Sequence, residues 1–109
     1  MWKKVCNKED IPINGGACVK EGDTQIAVFS YDDGKVFYAI DNLCPHSNQN
    51  VLSRGIVGDR KGEPKVSCPL HKKSFSLKRG HCLDSDEELS VKRYEVDIRG
   101  NEIYLCIPE

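Results

Sequence analysis

The chain has 109 residues, of which 39% are hydrophobic and 30% charged, and its formal net charge is −1. This length and composition are typical of one globular domain, spanning residues 1–109, with no room for a second core. The near-neutral charge excludes a general attraction to phosphate backbones, so we expect no nucleic-acid partner.

The N-terminal segment lacks the apolar core of a signal peptide, and no apolar stretch is long enough to cross a membrane. We therefore expect no membrane association and a cytoplasmic location, where thiols are kept reduced. In that compartment the six cysteines favour metal binding over a disulfide framework.

Strand signals dominate the chain, and convincing helical periodicity is absent. Two apolar runs, residues 26–29 and 36–40, flank a segment containing Asp33-Gly34, which is typical of a β-hairpin. Further short strands are expected at residues 2–6, 17–20, 65–67 and 74–77, and single helical turns at residues 10–12 and 48–54.

A second hairpin is predicted near the C-terminus. Residues 91–98 alternate so that Tyr94, Val96 and Ile98 share one inward face, and a turn at 99–101 leads into the apolar run 103–106. Many short strands with glycine-marked turns predict an all-β protein, an antiparallel sandwich or barrel. Residues 57–64, between the two cysteine–histidine clusters described next, are expected to form a surface loop.

Two short clusters combine cysteine with histidine, Cys44-Pro45-His46 and Cys68-Pro69-Leu70-His71. Because proline cannot donate a ladder hydrogen bond, both clusters are expected on loops. Together they offer two thiolates and two imidazoles, the ligand set of a Rieske 2Fe–2S centre, in which two cysteines hold one iron and two histidines the other. The candidate ligands are therefore Cys44, His46, Cys68 and His71.

This ligand set has a consequence for redox chemistry. Two thiolates and two neutral imidazoles leave the oxidised cluster uncharged, whereas four thiolates would make it doubly negative. Adding an electron to the neutral centre costs less, which raises the reduction potential from about −400 mV to between roughly −150 and +300 mV.

Two other uses of the four residues stay open. They could hold one zinc ion, although a single residue between Cys44 and His46 is a short spacing for two ligands of one tetrahedral ion. They could also be ordinary thiols and core histidines without a metal.

The remaining cysteines, Cys6, Cys18, Cys82 and Cys106, lie in or beside apolar segments and are expected to be small buried side chains. His81 lies outside both clusters, and we expect it in a turn or on the surface. The acidic run 84–88 is expected to be a solvated loop. Lys72 and Lys73 form either a solvated edge or a basic lip that orients an acidic partner.

The pattern C-x-H…C-x2-H resembles that of the Rieske iron–sulfur family. The stretches Ser53-Arg54-Gly55 and His71-Lys72-Lys73-Ser74-Phe75 resemble, within it, the small subunits of NAD(P)H-dependent assimilatory nitrite reductases. The likeness extends from about Trp2 to Cys106. Lys72 departs from the pattern, since glycine is common at this position in Rieske ferredoxins.

The resemblance implies the Rieske fold, an antiparallel β-sandwich with a small cluster-binding subdomain of two loops, about residues 43–50 and 67–75. It implies that Cys44, His46, Cys68 and His71 bind the iron of a 2Fe–2S cluster. It also implies a place beside a large reductase subunit, with flavin, iron–sulfur and sirohaem groups, that converts nitrite to ammonium.

The leading prediction is thus a Rieske-type electron-transfer protein, the small subunit of a nitrite reductase, with no catalytic residues and no turnover of its own. One alternative is a stand-alone Rieske ferredoxin that supplies electrons to an oxygenase. A second is a cluster-free or zinc-bearing subunit that only scaffolds a large partner.

Overall fold

The structure is a computed structural model that describes residues 1–70, 72–84 and 89–108. Within these ranges the chain is built from antiparallel strands, with single 3₁₀ turns at Lys8–Asp10 and Leu52–Arg54. No helix in this part of the chain is long and apolar enough to span a membrane. The strands are β1 (Trp2–Asn7), β2 (Gly16–Glu21), β3 (Thr24–Tyr31), β4 (Val36–Asp41), β5 (Leu43–Cys44), β6 (Gln49–Asn50), β7 (Ile56–Arg60), β8 (Glu63–Ser67), β9 (Ser74–Ser76), β10 (Arg93–Tyr94), β11 (Val96–Arg99) and β12 (Glu102–Cys106).

These strands form four antiparallel sheets. A four-stranded sheet has the order β10-β4-β3-β2, and two three-stranded sheets have the orders β1-β12-β11 and β7-β8-β9. The short strands β5 and β6 pair only with each other. The all-β prediction is confirmed.

Strand β3 is buried on both faces and divides the core in two. Ile26 and Val28 pack with residues of the β1-β12-β11 sheet, such as Leu105. Ala27 and Phe29 pack with residues of the β7-β8-β9 sheet. Because successive side chains of a strand point to opposite faces, one strand serves both clusters, and the four-stranded sheet lies between the other two.

The hairpin predicted between β3 and β4 is confirmed. Its turn places Asp32 and Asp33 at φ 53° and 56° and Gly34 at φ 85°. Asp tolerates this left-handed region better than most residues and Gly adopts it freely, which explains the Asp-Asp-Gly sequence.

The predicted strand at 91–98 is divided at Glu95. Arg93–Tyr94 pairs with β4 in the four-stranded sheet, whereas Val96–Arg99 pairs with β12 in another sheet. Tyr94, Val96 and Ile98 nevertheless contact the same apolar cluster, as the alternation predicted. The chain therefore passes from one layer to the next here while keeping one face on the core.

The expectation of a surface loop at 57–64 is wrong. These residues belong to the β7–β8 hairpin, whose two-residue turn has Lys61 at φ 51° and Gly62 at φ 87°. The Asp59 carboxylate accepts a hydrogen bond from the Gly62 N–H at 3.2 Å. The long gap between the two clusters suggested a loop, but only Lys61 and Gly62 are needed to reverse the chain.

The cysteines outside the two clusters differ in burial. Cys82 is buried, as expected, and Cys6 and Cys106 are half-buried. Cys18 is exposed, which contradicts the expectation. Because Ala17 and Val19 face the core, Cys18 points to the opposite side of the edge strand β2.

The second 3₁₀ turn lies against the end of β8, immediately before Cys68. A Cβ atom added at Gly55 would lie 2.4 Å from the carbonyl oxygen of Ser67 and 2.6 Å from Cγ2 of Val66. Only glycine therefore allows this turn to approach β8 so closely.

We expect Gly55→Ala to lower the free energy of unfolding by about 1–3 kcal/mol, because the contacted atom is backbone and cannot move aside. Gly58→Ala is the matched control, since a Cβ there would make only an ordinary 3.8 Å contact with Cε of Lys65. Urea unfolding of both variants measures the difference. If Gly55→Ala and Gly58→Ala were equally stable, the close approach of Gly55 to β8 would be contradicted.

Candidate metal centre

The first cysteine–histidine cluster lies on loop 1, residues 43–50. Cys44 ends strand β5 and is paired with Gln49 of β6 across a turn. The N–H of Asn48 donates a 2.7 Å hydrogen bond to the carbonyl oxygen of Cys44, and Asn48 has φ 58°. This backbone hydrogen bond, donated from four residues after Cys44, closes the turn.

The second cluster lies on loop 2, residues 67–75, which joins β8 to β9. The N–H of Lys72 donates a 2.9 Å hydrogen bond to the carbonyl oxygen of Cys68, and Lys72 has φ 59°. The N–H of Cys68 bonds to the carbonyl oxygen of Lys73 at 2.8 Å. The two loops therefore share a backbone pattern. In each, the residue four positions after the cysteine has a left-handed φ and donates its N–H to the cysteine carbonyl oxygen. His71 lies outside the described residues.

The two cysteine side chains come together in the interior. Cys44 and Cys68 are 0% and 1% exposed and belong to the same apolar cluster, which also contains Phe75. The Cys68 thiol lies close enough to the Cys44 thiol to lower its pKa. His46, two residues from Cys44, is exposed. Loop 1 therefore buries its sulfur and presents its imidazole at the surface.

Loop 1 also stabilises a thiolate. Burial raises the pKa of the Cys44 thiol, but the nearby hydroxyl and N–H of Ser47, the Cys68 thiol and the His46 N–H outweigh it and lower the pKa. The Ser47 hydroxyl oxygen is buried and has no hydrogen-bond partner among the described residues. Since the thiolate is the form that binds metal, this surrounding suits a metal-bound sulfur.

The two buried cysteines fit a binuclear cluster. No three His, Cys, Asp or Glu side chains among the described residues gather around one ion position. A cluster with two cysteines on one iron and two histidines on the other requires only pairs of ligands.

Asn42 supports loop 1 and was missed in the sequence. Its buried side chain accepts a 2.7 Å hydrogen bond from the N–H of Ser53 and donates one of 3.0 Å to Oε1 of Gln25. Its carbonyl oxygen accepts from the N–H of Leu52 at 3.1 Å. Asn42 therefore joins β2–β3, loop 1 and the second 3₁₀ turn. Its position two residues before Cys44 carries no sequence signal, because burial of a polar side chain depends on tertiary contacts.

Asp84 supports loop 2. Its carboxylate pairs with the Arg60 guanidinium and accepts the Ser74 N–H. Burial raises the pKa of Asp84, but the bond to Arg60 and the bonds from Ser74 outweigh it and lower the pKa. Asp84 is exposed, as expected of a solvated run, but it also makes these polar contacts. Residues 85–88 lie outside the described ranges. His81 is exposed, as expected.

Comparisons with known proteins agree with this geometry. A family model described as a Rieske-like 2Fe-2S domain matches residues 1–106. The chain belongs to this family. The cofactor of such a Rieske domain is a 2Fe–2S cluster.

Similar proteins fall into two groups. The chain is 40% identical over 106 residues to the nitrite reductase (NADH) small subunit of Escherichia coli, covering 96% of both chains. It is 36% identical over 105 residues to a 3-phenylpropionate/cinnamic acid dioxygenase ferredoxin subunit of Photorhabdus laumondii, covering 96% of this chain and 93% of that protein. A structure of a putative NADH-dependent nitrite reductase small subunit from Mycobacterium tuberculosis superposes with a TM-score of 0.87 at 36% identity, covering 96% of this chain and 93% of that one.

Lys72 has a left-handed φ of 59°, a conformation that glycine adopts freely. We expect Lys72→Gly to stabilise this Rieske domain by about 1 kcal/mol, because glycine removes the strain of a side chain at φ 59°. Asn48→Gly is the matched control and should gain less, since asparagine tolerates this conformation. Thermal unfolding measures the stability of both variants. If Lys72→Gly is less stable than the wild type, Lys72 is not strained at this position.

Proposed function

We propose that Cys44, Cys68, His46 and His71 hold the 2Fe–2S cluster, the cysteines on one iron and the histidines on the other. In this proposal residues 1–109 act as a single Rieske domain whose ligand loops are residues 43–50 and 67–75. The observation that carries it is the contact between two buried thiols at matching positions of two loops with the same backbone pattern.

The cluster, when bound, takes up and releases one electron at a time. The chain supplies its surroundings. The N–H groups of His46 and Ser47 and the hydroxyl of Ser47 lie near the Cys44 sulfur and favour negative charge there. The apolar cluster excludes water from both sulfurs. His46, at the surface, offers a ring nitrogen through which a partner can be reached and on which a proton can be held.

The proposed partner is the large subunit of a nitrite reductase, and the proposed process is the reduction of nitrite to ammonium in the cytoplasm. This is supported by 40% identity to a nitrite reductase small subunit over nearly the full length of both chains. The chain is proposed to relay electrons within that assembly and not to turn over substrate alone.

A second candidate is a ferredoxin that supplies electrons to an oxygenase. It is supported by 36% identity to a dioxygenase ferredoxin subunit over nearly the same length. Stopped-flow reoxidation of the reduced protein by each purified partner distinguishes the two, because only the true acceptor should oxidise it rapidly.

The ligand assignment is tested by EPR of anaerobically purified, dithionite-reduced protein. We expect the rhombic signal of a histidine-ligated 2Fe–2S centre, lost in Cys44→Ser and retained in the control Cys106→Ser, whose half-buried thiol lies on β12 in another sheet. In His46→Cys, any assembled cluster should have a lower potential, because a thiolate adds negative charge. An iron-free, zinc-containing wild-type protein would contradict the proposal and favour the scaffold alternative.

The basic lip, Lys72 and Lys73, is proposed to orient an acidic partner. Lys72 is exposed and Lys73 half-buried, both on loop 2 beside the proposed ligands. We expect Lys72→Glu with Lys73→Glu to slow electron transfer at low salt and leave the EPR signal unchanged. The control pair Lys35→Glu with Lys61→Glu makes the same charge change in two remote turns. Equal rates for the two pairs over a range of ionic strength would rule out the lip.

A further inference from the structure

A closed triangle of hydrogen bonds lies where loop 2 begins and ends. Nζ of Lys65 donates to Oγ of Ser67 at 2.8 Å and to Oγ of Ser74 at 3.3 Å, and the two hydroxyl oxygens are 3.0 Å apart. Ser67 and Ser74 are directly paired across β8 and β9, and Ser74 is only 1% exposed. We call these three residues the Lys65 triangle.

Local geometry directs the lysine side chain to this point. Lys65 and Ser67 are two residues apart on β8, so both point to the same face of the sheet. On the neighbouring strand, Gly58 is paired with Lys65. A Cβ at Gly58 would lie 3.8 Å from Cε of Lys65, so the lysine stem passes over the space that glycine leaves open. The ammonium is therefore held at the neck of loop 2.

The carboxylates near this face have other partners. Glu63 accepts a hydrogen bond from the Ser76 hydroxyl, and Asp84 binds Arg60 and the Ser74 N–H. In the described ranges, the ion pairs do not include Lys65. The Lys65 ammonium thus donates to hydroxyl groups, which are neutral and do not cancel its positive charge.

This charge lies close to a proposed ligand. Ser67 directly precedes Cys68, and consecutive Cα atoms are about 3.8 Å apart, so an ammonium bonded to Oγ of Ser67 lies within roughly 9 Å of the Cys68 Cα. This distance is comparable to the electrostatic screening length of about 8–10 Å at physiological salt. Lys65 is half-buried, so its charge is screened less than that of an exposed side chain. Its field therefore reaches the backbone of Cys68, whose side chain packs with Val66 on the opposite face of β8.

We propose that Lys65 is a positioning residue for the cluster, which closes the neck of loop 2 through Ser67 and Ser74 and favours the reduced state with its positive charge. This rests on the proposed function, because it requires a cluster held by Cys68. The reduced cluster carries one more negative charge than the oxidised one, so a fixed cation nearby raises the reduction potential.

The test is the midpoint potential of the cluster-loaded protein, measured by EPR-monitored redox titration. Lys65→Met keeps the stem and removes the charge, and we expect the reduction equilibrium to become about tenfold less favourable, a fall of about 59 mV for one electron. Lys65→Arg should restore most of the difference. The control Lys35→Met makes the same charge change in the β3–β4 turn, at the other end of β4 from Cys44, and should leave the potential unchanged.

Equal potentials in Lys65→Met and Lys35→Met would overturn the inference, since a purely structural lysine would not move the potential of an intact cluster. If Lys65→Met loses its cluster, Lys65→Gln against Lys35→Gln carries the same comparison, because glutamine keeps a donor without the charge. If wild-type protein holds no cluster, the proposed function fails. If wild-type binds the cluster but the lysine variants have equal potentials, only the role of Lys65 fails.

Discussion

The contact between the Cys44 and Cys68 side chains is the constraint on which the rest of the site depends. Two thiols 24 positions apart in the chain meet inside one apolar cluster, although each is carried by a short loop that could not hold itself in place. Their meeting requires the hairpins that carry them to pack on the same face of β3. Burial of the sulfurs removes water from them, while N–H and hydroxyl donors compensate the lost hydration of a thiolate.

Three polar contacts hold the loops, and each uses a residue outside the cysteine–histidine clusters. The buried amide of Asn42 joins loop 1 to the central sheet and to the second 3₁₀ turn. Asp84 binds Ser74 of loop 2, and the Lys65 triangle lies at the neck of that loop. Since apolar packing has little directionality, these hydrogen bonds help to orient each loop on the strands and turns beside it.

The same architecture separates the roles of sulfur and imidazole. β-Sheet packing puts Cys44 inside, whereas the left-handed residue Asn48 turns the chain so that His46 remains at the surface. A redox centre built on this plan is protected from water on its cysteine side and open to a partner on its histidine side.

Membership of the Rieske-like family, with relatives among both nitrite reductase small subunits and dioxygenase ferredoxins, agrees with a scaffold used by more than one partner.

The local signals of the sequence were sufficient for the all-β class, the two hairpins at Asp33-Gly34 and Arg99-Gly100-Asn101, and the cysteine–histidine pattern that marks the family. These features depend on neighbouring residues, through side-chain alternation and turn conformation. The division of residues 91–98 between two sheets, the β7–β8 hairpin, the exposure of Cys18 and the buried contacts of Asn42, Asp84 and Lys65 were decided by the tertiary structure. They depend on which faces of distant strands are covered, and a residue's own neighbours along the chain do not contain that information.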